Sequence, residues 1–284
     1  MAELLYDFLA KPIPIVPQLI GRGILPKQGR LVLGGEPKSN KSWIALELAL
    51  AMAQGRAAFS AVYKSGTPVL PVTGKYRILY IEQEIGETEL QKRLTSLMTG
   101  QDALGIDFYV KSKDLEMRLD TPEGHLAIAR EVEQVKPDCL ILDPLAKFHL
   151  SGENSSQEMG AVLRVGQHLT QDYNSALIYV HHTSKPNPEN PRRGGDRLRG
   201  SSAIFADVDT CVIVERKSSE SNLEPVIELD IEMRCGEPLP KLYVQRLRSG
   251  QVVYLGEDYR WQGDRVGMTG ESGRRSRVYD PTRR

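Results

Sequence analysis

The sequence predicts an α/β fold: a mostly parallel central sheet with an antiparallel extension toward the C-terminus. Three observations carry this. Apolar runs without polar alternation recur at Leu31–Leu33, Ile78–Ile81, Cys139–Leu142 and Ala176–Val180. Such runs suit parallel strands buried on both faces. Segments with apolar residues at helical spacing separate them. After Asp209 the pattern changes to short strands joined by turns.

The bulk composition agrees with this class. The chain has 284 residues, of which 40% are hydrophobic and 26% charged, enough for a real core and ordinary for one large α/β domain. Lys and Arg total 37, as do Asp and Glu, so the net charge is zero. That argues against a uniformly basic nucleic-acid coat but leaves room for local basic loops. No apolar run reaches membrane-spanning length, so no membrane partner is expected. The first twenty residues carry early acids and internal prolines and make a poor signal peptide. Cys139, Cys211 and Cys235 are widely spaced and suggest neither a disulfide framework nor a metal motif. Cys139 and Cys211 read as buried small hydrophobes. A reducing cytoplasm fits.

Residues 1–30 read as an N-terminal arm. Pro12, Pro14 and Pro17 forbid a continuous helix, and the arm's apolar residues are expected against the core or a neighbouring subunit. Leu31–Leu33 is the first central strand. Gly35–Ser42 then reads G-E-P-K-S-N-K-S, against the P-loop pattern G-x-x-x-x-G-K-[ST]. The helix that follows, Trp43–Ala53, is rich in Ala and Leu. A loop entering a helix N-terminus aims N–H groups and partial positive charge at an anion. Gly35, Pro37, Lys38, Ser39, Asn40, Lys41, Ser42 and Trp43 are the candidate phosphate-binding residues. Lys41 would reach the outer phosphates and the Ser42 hydroxyl would hold Mg²⁺. Asn40 replaces the second glycine, and asparagine is among the residues that best tolerate positive φ.

Residues 56–75 read as a loop or small excursion. The strand Ile78–Ile81 ends in Glu82 and Glu84, and in such sheets ligands gather at the carboxyl ends of strands. Glu87–Met98 is a helix, Ile106–Val110 a strand, and Thr121–Val135 a helix with Thr121 as N-cap. Cys139–Leu142 ends in Asp143, the Walker B arrangement whose carboxylate holds Mg²⁺ directly or through water. A polar loop spans 147–156, and a helix Ser156–Tyr173. Ala176–Val180 ends in His181 and His182, whose side chains must point to opposite faces. One is expected to face the nucleotide and the other to pack.

Thr183–Ser202 holds three prolines, three glycines and five basic residues (Lys185, Arg192, Arg193, Arg197, Arg199) against two acidic ones. It cannot be regular secondary structure, and reads either as a solvated disordered loop or as a mobile basic loop suited to phosphate backbones. Thr210–Glu215, Pro225–Met233, Leu242–Arg246 and Val252–Gly256 are the expected antiparallel strands. The boundaries are then an arm 1–30, a core domain 31–256 and a basic tail 257–284.

P-loop, strand ending in Glu, strand ending in Asp, strand ending in His, then a basic glycine loop: this order resembles the RecA-like P-loop ATPases. More narrowly it resembles the RepA-type hexameric helicases of plasmids and mobile elements. The match runs over about residues 25–250 and is closest at Leu140–Asn154, Val180–Lys185 and Arg199–Ser202. The resemblance implies ATP and Mg²⁺ as ligands, with Lys41 and Ser42 on the phosphates and Mg²⁺ and Asp143 as Walker B carboxylate. It implies Glu84, rather than Glu82, as the base that activates water, and His182 as the γ-phosphate sensor. It makes Lys147–Glu158 and Thr183–Arg199 the two DNA-facing loops, with Lys147, Lys185, Arg192, Arg193 and Arg197 as contacts to single-stranded DNA. It implies a homo-oligomer, a hexameric ring, with an arginine acting in trans. Arg234 is the nearest match, although Glu232 stands where that pattern carries a lysine, and Arg199 is the alternative. A ring helicase and a non-unwinding ATPase switch both satisfy these residues. A P-loop kinase does not suit the strand-ending histidine and β-rich C-terminal part.

Overall fold

The structure is a computed structural model that describes residues 2–184, 194–200, 202–218 and 222–261. Among these, nine strands form one sheet and two more form a hairpin. A short helix, α1 (Leu5–Ala10), opens the chain, followed by the hairpin β1 (Gln18–Ile20) and β2 (Leu25–Pro26). Then come β3 (Arg30–Gly35), α2 (Lys41–Gln54), β4 (Ile78–Glu82), α3 (Glu87–Leu97), β5 (Phe108–Ser112) and α4 (Pro122–Val135). The rest is β6 (Cys139–Asp143), α5 (Ser156–Asp172), β7 (Ala176–His182), α6 (Ala203–Asp207), β8 (Thr210–Arg216), β9 (Val226–Met233), β10 (Leu242–Arg246) and β11 (Val252–Tyr254). The sheet order is β11-β10-β9-β8-β3-β7-β6-β4-β5. The six strands from β8 to β5 are parallel, and β9, β10 and β11 add on antiparallel. The expected fold class holds.

The continuous apolar runs feed two cores. Leu31 and Leu33 of β3, Ile78 and Tyr80 of β4, and Ile178 and Val180 of β7 face one side, where α2 packs. Val32, Leu79, Ile81, Leu177 and Tyr179 face the other, with apolar residues of α4 and α5. Alternation still operates, but both faces are covered by apolar layers, so it leaves no polar trace. Helix α2 is buried nearly all round, because it lies under the hairpin and the 58–60 turn as well as on the sheet. Thr121 does cap α4, its hydroxyl accepting from Gly124 N at 3.2 Å. Cys139 and Cys211 are buried, as expected, and Cys235 is exposed.

Three expectations change. The arm is two things. Residues 2–17 do not lie on the core: Ile13 and Ile15 are 92% and 94% exposed, and the prolines leave a single short helix. Leu19, Ile20, Ile24 and Leu25 of the hairpin are fully buried beside α2, so the core begins near residue 18 rather than 31. The β5 strand starts two residues later than its apolar residues suggested, because Ile78 pairs with Phe108 and fixes the register. The 183–202 segment contains a 3-10 turn at 194–197. Lys185, Arg192, Arg193 and the tail beyond residue 261 lie outside the described residues.

Candidate functional site

Register assembles the site. Gly35 pairs with His182 on β7 and with Val214 on β8, and Glu82 pairs with Asp143 on β6 and with Ser112 on β5. The loop after β3 and the ends of β4, β6 and β7 therefore share the carboxyl edge of the sheet, where ligands of such folds bind.

The loop 36–40 is shaped by sequence. Gly35 is required by contact: a Cβ there would lie 2.5 Å from both Ser39 Oγ and the Val214 carbonyl. Lys38 and Asn40 adopt positive φ, 63° and 73°. Asn40, standing where the pattern has glycine, takes the left-handed conformation at the head of α2 that a β-branched residue would resist. Lys41 is 7% exposed and its ammonium donates to the carbonyls of Gly35 at 2.8 Å and Glu36 at 2.7 Å. Burial lowers its pKa to about 8, against the pull of the Asp143, Glu84 and Glu36 carboxylates. Its charge is thus held inside the loop. Ser39 Oγ and Asn40 Nδ2 are buried without a protein partner. Orphaned polar atoms around a buried cation at a helix N-terminus fit an anion such as a phosphate group.

Asp143 is 3% exposed and accepts from the Tyr80 hydroxyl at 2.5 Å, and the Ser42 side chain hydrogen-bonds it as well. Burial raises its pKa to about 6 against those two bonds. A carboxylate and a hydroxyl side by side are a hard oxygen set of the kind Mg²⁺ takes. Ser42 and Asp143 would hold that ion. Sequence reasoning missed Tyr80. It reads as one more apolar residue of a buried strand, and only the β4–β6 register brings its hydroxyl to Asp143.

The two glutamates separate. Glu82 is buried and its carboxylate accepts from the backbone N–H groups of Glu84, Ile85 and Gly86, the last at 2.8 Å. Glu84 is exposed and lies close enough to Lys41 to act on its charge. The histidines separate too. His181 is fully buried, with Nε2 against the Arg199 carbonyl at 2.9 Å, and burial lowers its pKa to about 4. His182 is half-buried; burial lowers its pKa, and the charges of Lys41 and Arg199 lower it further. Pro37, His182, Thr183, Ser184 and Arg199 line one cavity of about 490 Å³ beside the loop.

The basic candidates are more dispersed. Arg199 pairs with Glu153 at 3.0 Å and Arg197 with Glu215 at 2.8 Å. Lys147 sits on the 3-10 turn 145–147, its carbonyl accepting from Arg118. Arg234 lies at the other end of the sheet: Met233 pairs with Thr210, at the start of β8, whereas the loop meets β8 at Val214. That is about 13 Å along the strand. Its guanidinium donates to the Ala206 carbonyl at 2.6 Å and the Val208 carbonyl at 3.2 Å. Arg234 therefore does not join the site of its own chain. Glu232 accepts from Gly195 N at 3.0 Å and ties the 194–197 turn to β9. Trp43, near the start of α2, packs against the core, with Arg246 of β10 and Arg93 of α3 at 5.0 and 5.5 Å from its ring centre.

Comparison with known proteins bears on the fold and the family. Two proteins of Chlamydia trachomatis named "Probable plasmid replicative DNA helicase" are 22% identical over 209 residues, 71% of this chain and 46% of their own length. The chain thus spans about half the length of the curated relatives it matches. A KaiC-like protein of Pyrococcus horikoshii OT3 superposes with a TM-score of 0.56 at 14% identity, over 84% of this chain and 99% of that one. A DnaB-like replicative helicase superposes with a TM-score of 0.58 at 14% identity, over 88% of this chain and 66% of that one. These likenesses identify the fold as RecA-like. The AAA domain family profile matches residues 1–188, about two thirds of the sequence, and the chain belongs to that family.

Proposed function

We propose that this chain is a Mg²⁺-dependent ATPase that works on DNA as part of a homo-oligomeric ring, most simply a hexameric replicative-type helicase. The observation that supports it is the convergence of Lys41, Ser42, Asp143, Glu84 and His182 on one sheet edge. The names of the Chlamydia relatives support the same reading.

Hydrolysis of a phosphoanhydride needs charge neutralisation and a well-held water more than covalent help. Lys41 and the N–H groups of the 35–42 loop bind the phosphates. Ser42 and Asp143 would hold Mg²⁺, which when bound neutralises charge on the outer phosphate oxygens. Glu84 orients water and takes its proton. His182 contacts the terminal phosphate and, being next to Thr183, passes its presence to the 183–200 segment. Arg234, remote from its own site, is assigned to a neighbouring copy, with Arg199 as the alternative arginine in trans. Lys147, Lys185, Arg192, Arg193 and Arg197 are assigned to single-stranded DNA, and residues 257–284 are taken as a basic tail. The core runs from about residue 18 to 256. The likeness to proteins named as plasmid replicative helicases supports assigning the protein to the cytoplasm.

The second reading, an ATPase switch or loader that does not unwind, has its own support: Arg197 and Arg199 are already paired with carboxylates. One experiment separates the two. ATP hydrolysis is measured with and without single-stranded DNA, followed by displacement of a labelled strand. Stimulation with displacement is expected. Stimulation without displacement selects the switch, and absence of hydrolysis under all conditions overturns both.

A further inference from the structure

We infer that Glu82 is a positioning residue whose buried carboxylate holds the 84–86 turn and thereby aims Glu84 at the nucleotide site. This rests on the proposed hydrolytic reading, with Glu84 as base.

The sequence offers two glutamates two residues apart, and by type either could serve. The structure uses them differently. The carboxylate of Glu82 accepts from three successive N–H groups of its own downstream backbone, at Glu84, Ile85 and Gly86. The Ser112 hydroxyl adds a longer contact, 3.4 Å, from β5. With its residue 1% exposed, this carboxylate has its accepting capacity spent on the chain. It is therefore no candidate for the water-activating base.

What it does instead is fix a turn. The backbone around Glu82 is pinned from both sides: its carbonyl accepts from Lys113 N at 2.8 Å, and Gln83 N donates to the Asp143 carbonyl at 2.9 Å. Gly86 has φ +81°, a conformation that favours glycine, immediately before α3 begins. Between these points lie only Glu84 and Ile85. Without an internal acceptor their N–H groups would seek water and the turn would open. A carboxylate receiving three convergent N–H groups is a strong local clamp, since bonds to a charged acceptor are about twice as strong as neutral ones. The clamp matters because Glu84 is otherwise exposed and free to wander. Displacement of a base by about 1 Å can cost about 100-fold in rate.

The test needs Glu82→Gln, Glu84→Gln and the double variant. Glu82→Gln keeps the volume but turns an amide NH₂ toward N–H donors. We expect a fall in kcat of about 100-fold, with KM for ATP within about threefold. The double variant should hydrolyse no slower than Glu84→Gln alone, because the clamp acts only through that base. A merely structural Glu82 would add its loss to the double variant and raise KM. If Glu84→Gln hydrolyses normally, the base assignment fails, and that failure is distinct. If Glu84→Gln is inactive while Glu82→Gln is normal, the clamp is overturned. Should Glu82→Gln not fold, amide hydrogen exchange on the unaltered protein decides. The amides of Glu84, Ile85 and Gly86 should exchange at least about tenfold more slowly than those of Glu87 and Thr88, unbonded in the first helical turn. Equal rates would overturn the clamp.

Discussion

The Tyr80 hydroxyl donates to the Asp143 carboxylate at 2.5 Å, between adjacent strands and out of reach of solvent. It fixes the Oδ2 oxygen, and with the Ser42 hydrogen bond it orients the carboxylate that would hold the metal. Outer-shell donors of this kind are typically worth about 10–100-fold in metal affinity. Tyr80→Phe should therefore raise the Mg²⁺ concentration needed for half-maximal hydrolysis by about tenfold, with little change at saturating Mg²⁺. A Mg²⁺ titration of the ATPase rate checks this. An unchanged midpoint would show that Asp143 needs no such support.

Glu84→Gln should bind ATP with near-normal affinity and hydrolyse it at least about 100-fold more slowly, the usual scale for losing a general base. Binding of a fluorescent ATP analogue and phosphate release measure the two quantities. Normal hydrolysis would remove Glu84 from the mechanism.

Asn40 is the deviation from the loop pattern, and its φ of 73° tells which replacements it accepts. Asn40→Gly should keep stability within about 1 kcal/mol, because glycine reaches that conformation freely. Asn40→Val should cost about 1–3 kcal/mol and weaken nucleotide binding. Thermal melting with and without MgATP reads both. Equal behaviour of the two variants would mean that the left-handed conformation is not needed.

Arg234 predicts a test of assembly. If it serves a neighbouring copy, Arg234→Ala should lower kcat by about 10³-fold, as loss of an arginine finger does. Mixing Arg234→Ala with Lys41→Ala subunits should then restore measurable hydrolysis, since an intact site can form between an Arg234→Ala chain and its Lys41→Ala neighbour. No recovery, in particles shown to be mixed, would move the role to Arg199 or elsewhere.

His181 gives the pH dependence its sign. Its pKa in the folded protein is lowered to about 4, mainly by burial, from 6.5 in the open chain. The unfolded chain therefore takes up the proton first. The stability tied to the neutral ring is fully present above pH 6.5, falls as the pH drops, and is gone below about pH 4, a loss of order 3 kcal/mol. The Glu153 carboxylate raises this pKa and the charges of His182 and His149 lower it, which modulates the midpoint. His181→Gln should show a shallower loss of stability than the unaltered protein between pH 6.5 and 4.5 in urea melts. Parallel curves would assign the acid sensitivity to other groups.

Much of the fold was legible because parallel strands buried on both faces and ending in a polar or charged residue leave a strong mark. Leu31–Leu33, Ile78–Ile81, Cys139–Leu142 and Ala176–Val180 all became central strands. The split between a fully buried His181 and a half-buried His182 followed from strand geometry alone. Pairing information was not legible. Nothing in the sequence says that Glu82 spends its carboxylate on three N–H groups, or that Tyr80 meets Asp143. Nor does it show that Arg197 is held by Glu215, or that Arg234 stands at the far end of the sheet. Each of these depends on register between distant segments, which local pattern does not encode. The hairpin at Gln18–Pro26 was hidden for a related reason: Gly21, Gly23 and Pro26 break its apolar residues into pairs too short to read as strands, while its burial comes from contact with α2.

The junction at Arg199 has a mechanical consequence. Its N–H donates to the His182 carbonyl at 2.9 Å, its carbonyl meets the His181 ring, and its guanidinium grips Glu153. Gly200 sits so close to the Glu153 carbonyl that a Cβ would come within 2.4 Å of it. The end of β7, the 150s loop and the 194–200 segment are thus bolted at one residue. They share a single pivot, so any shift of His182 turns both loops together, as two arms of one rocker rather than two independent flaps.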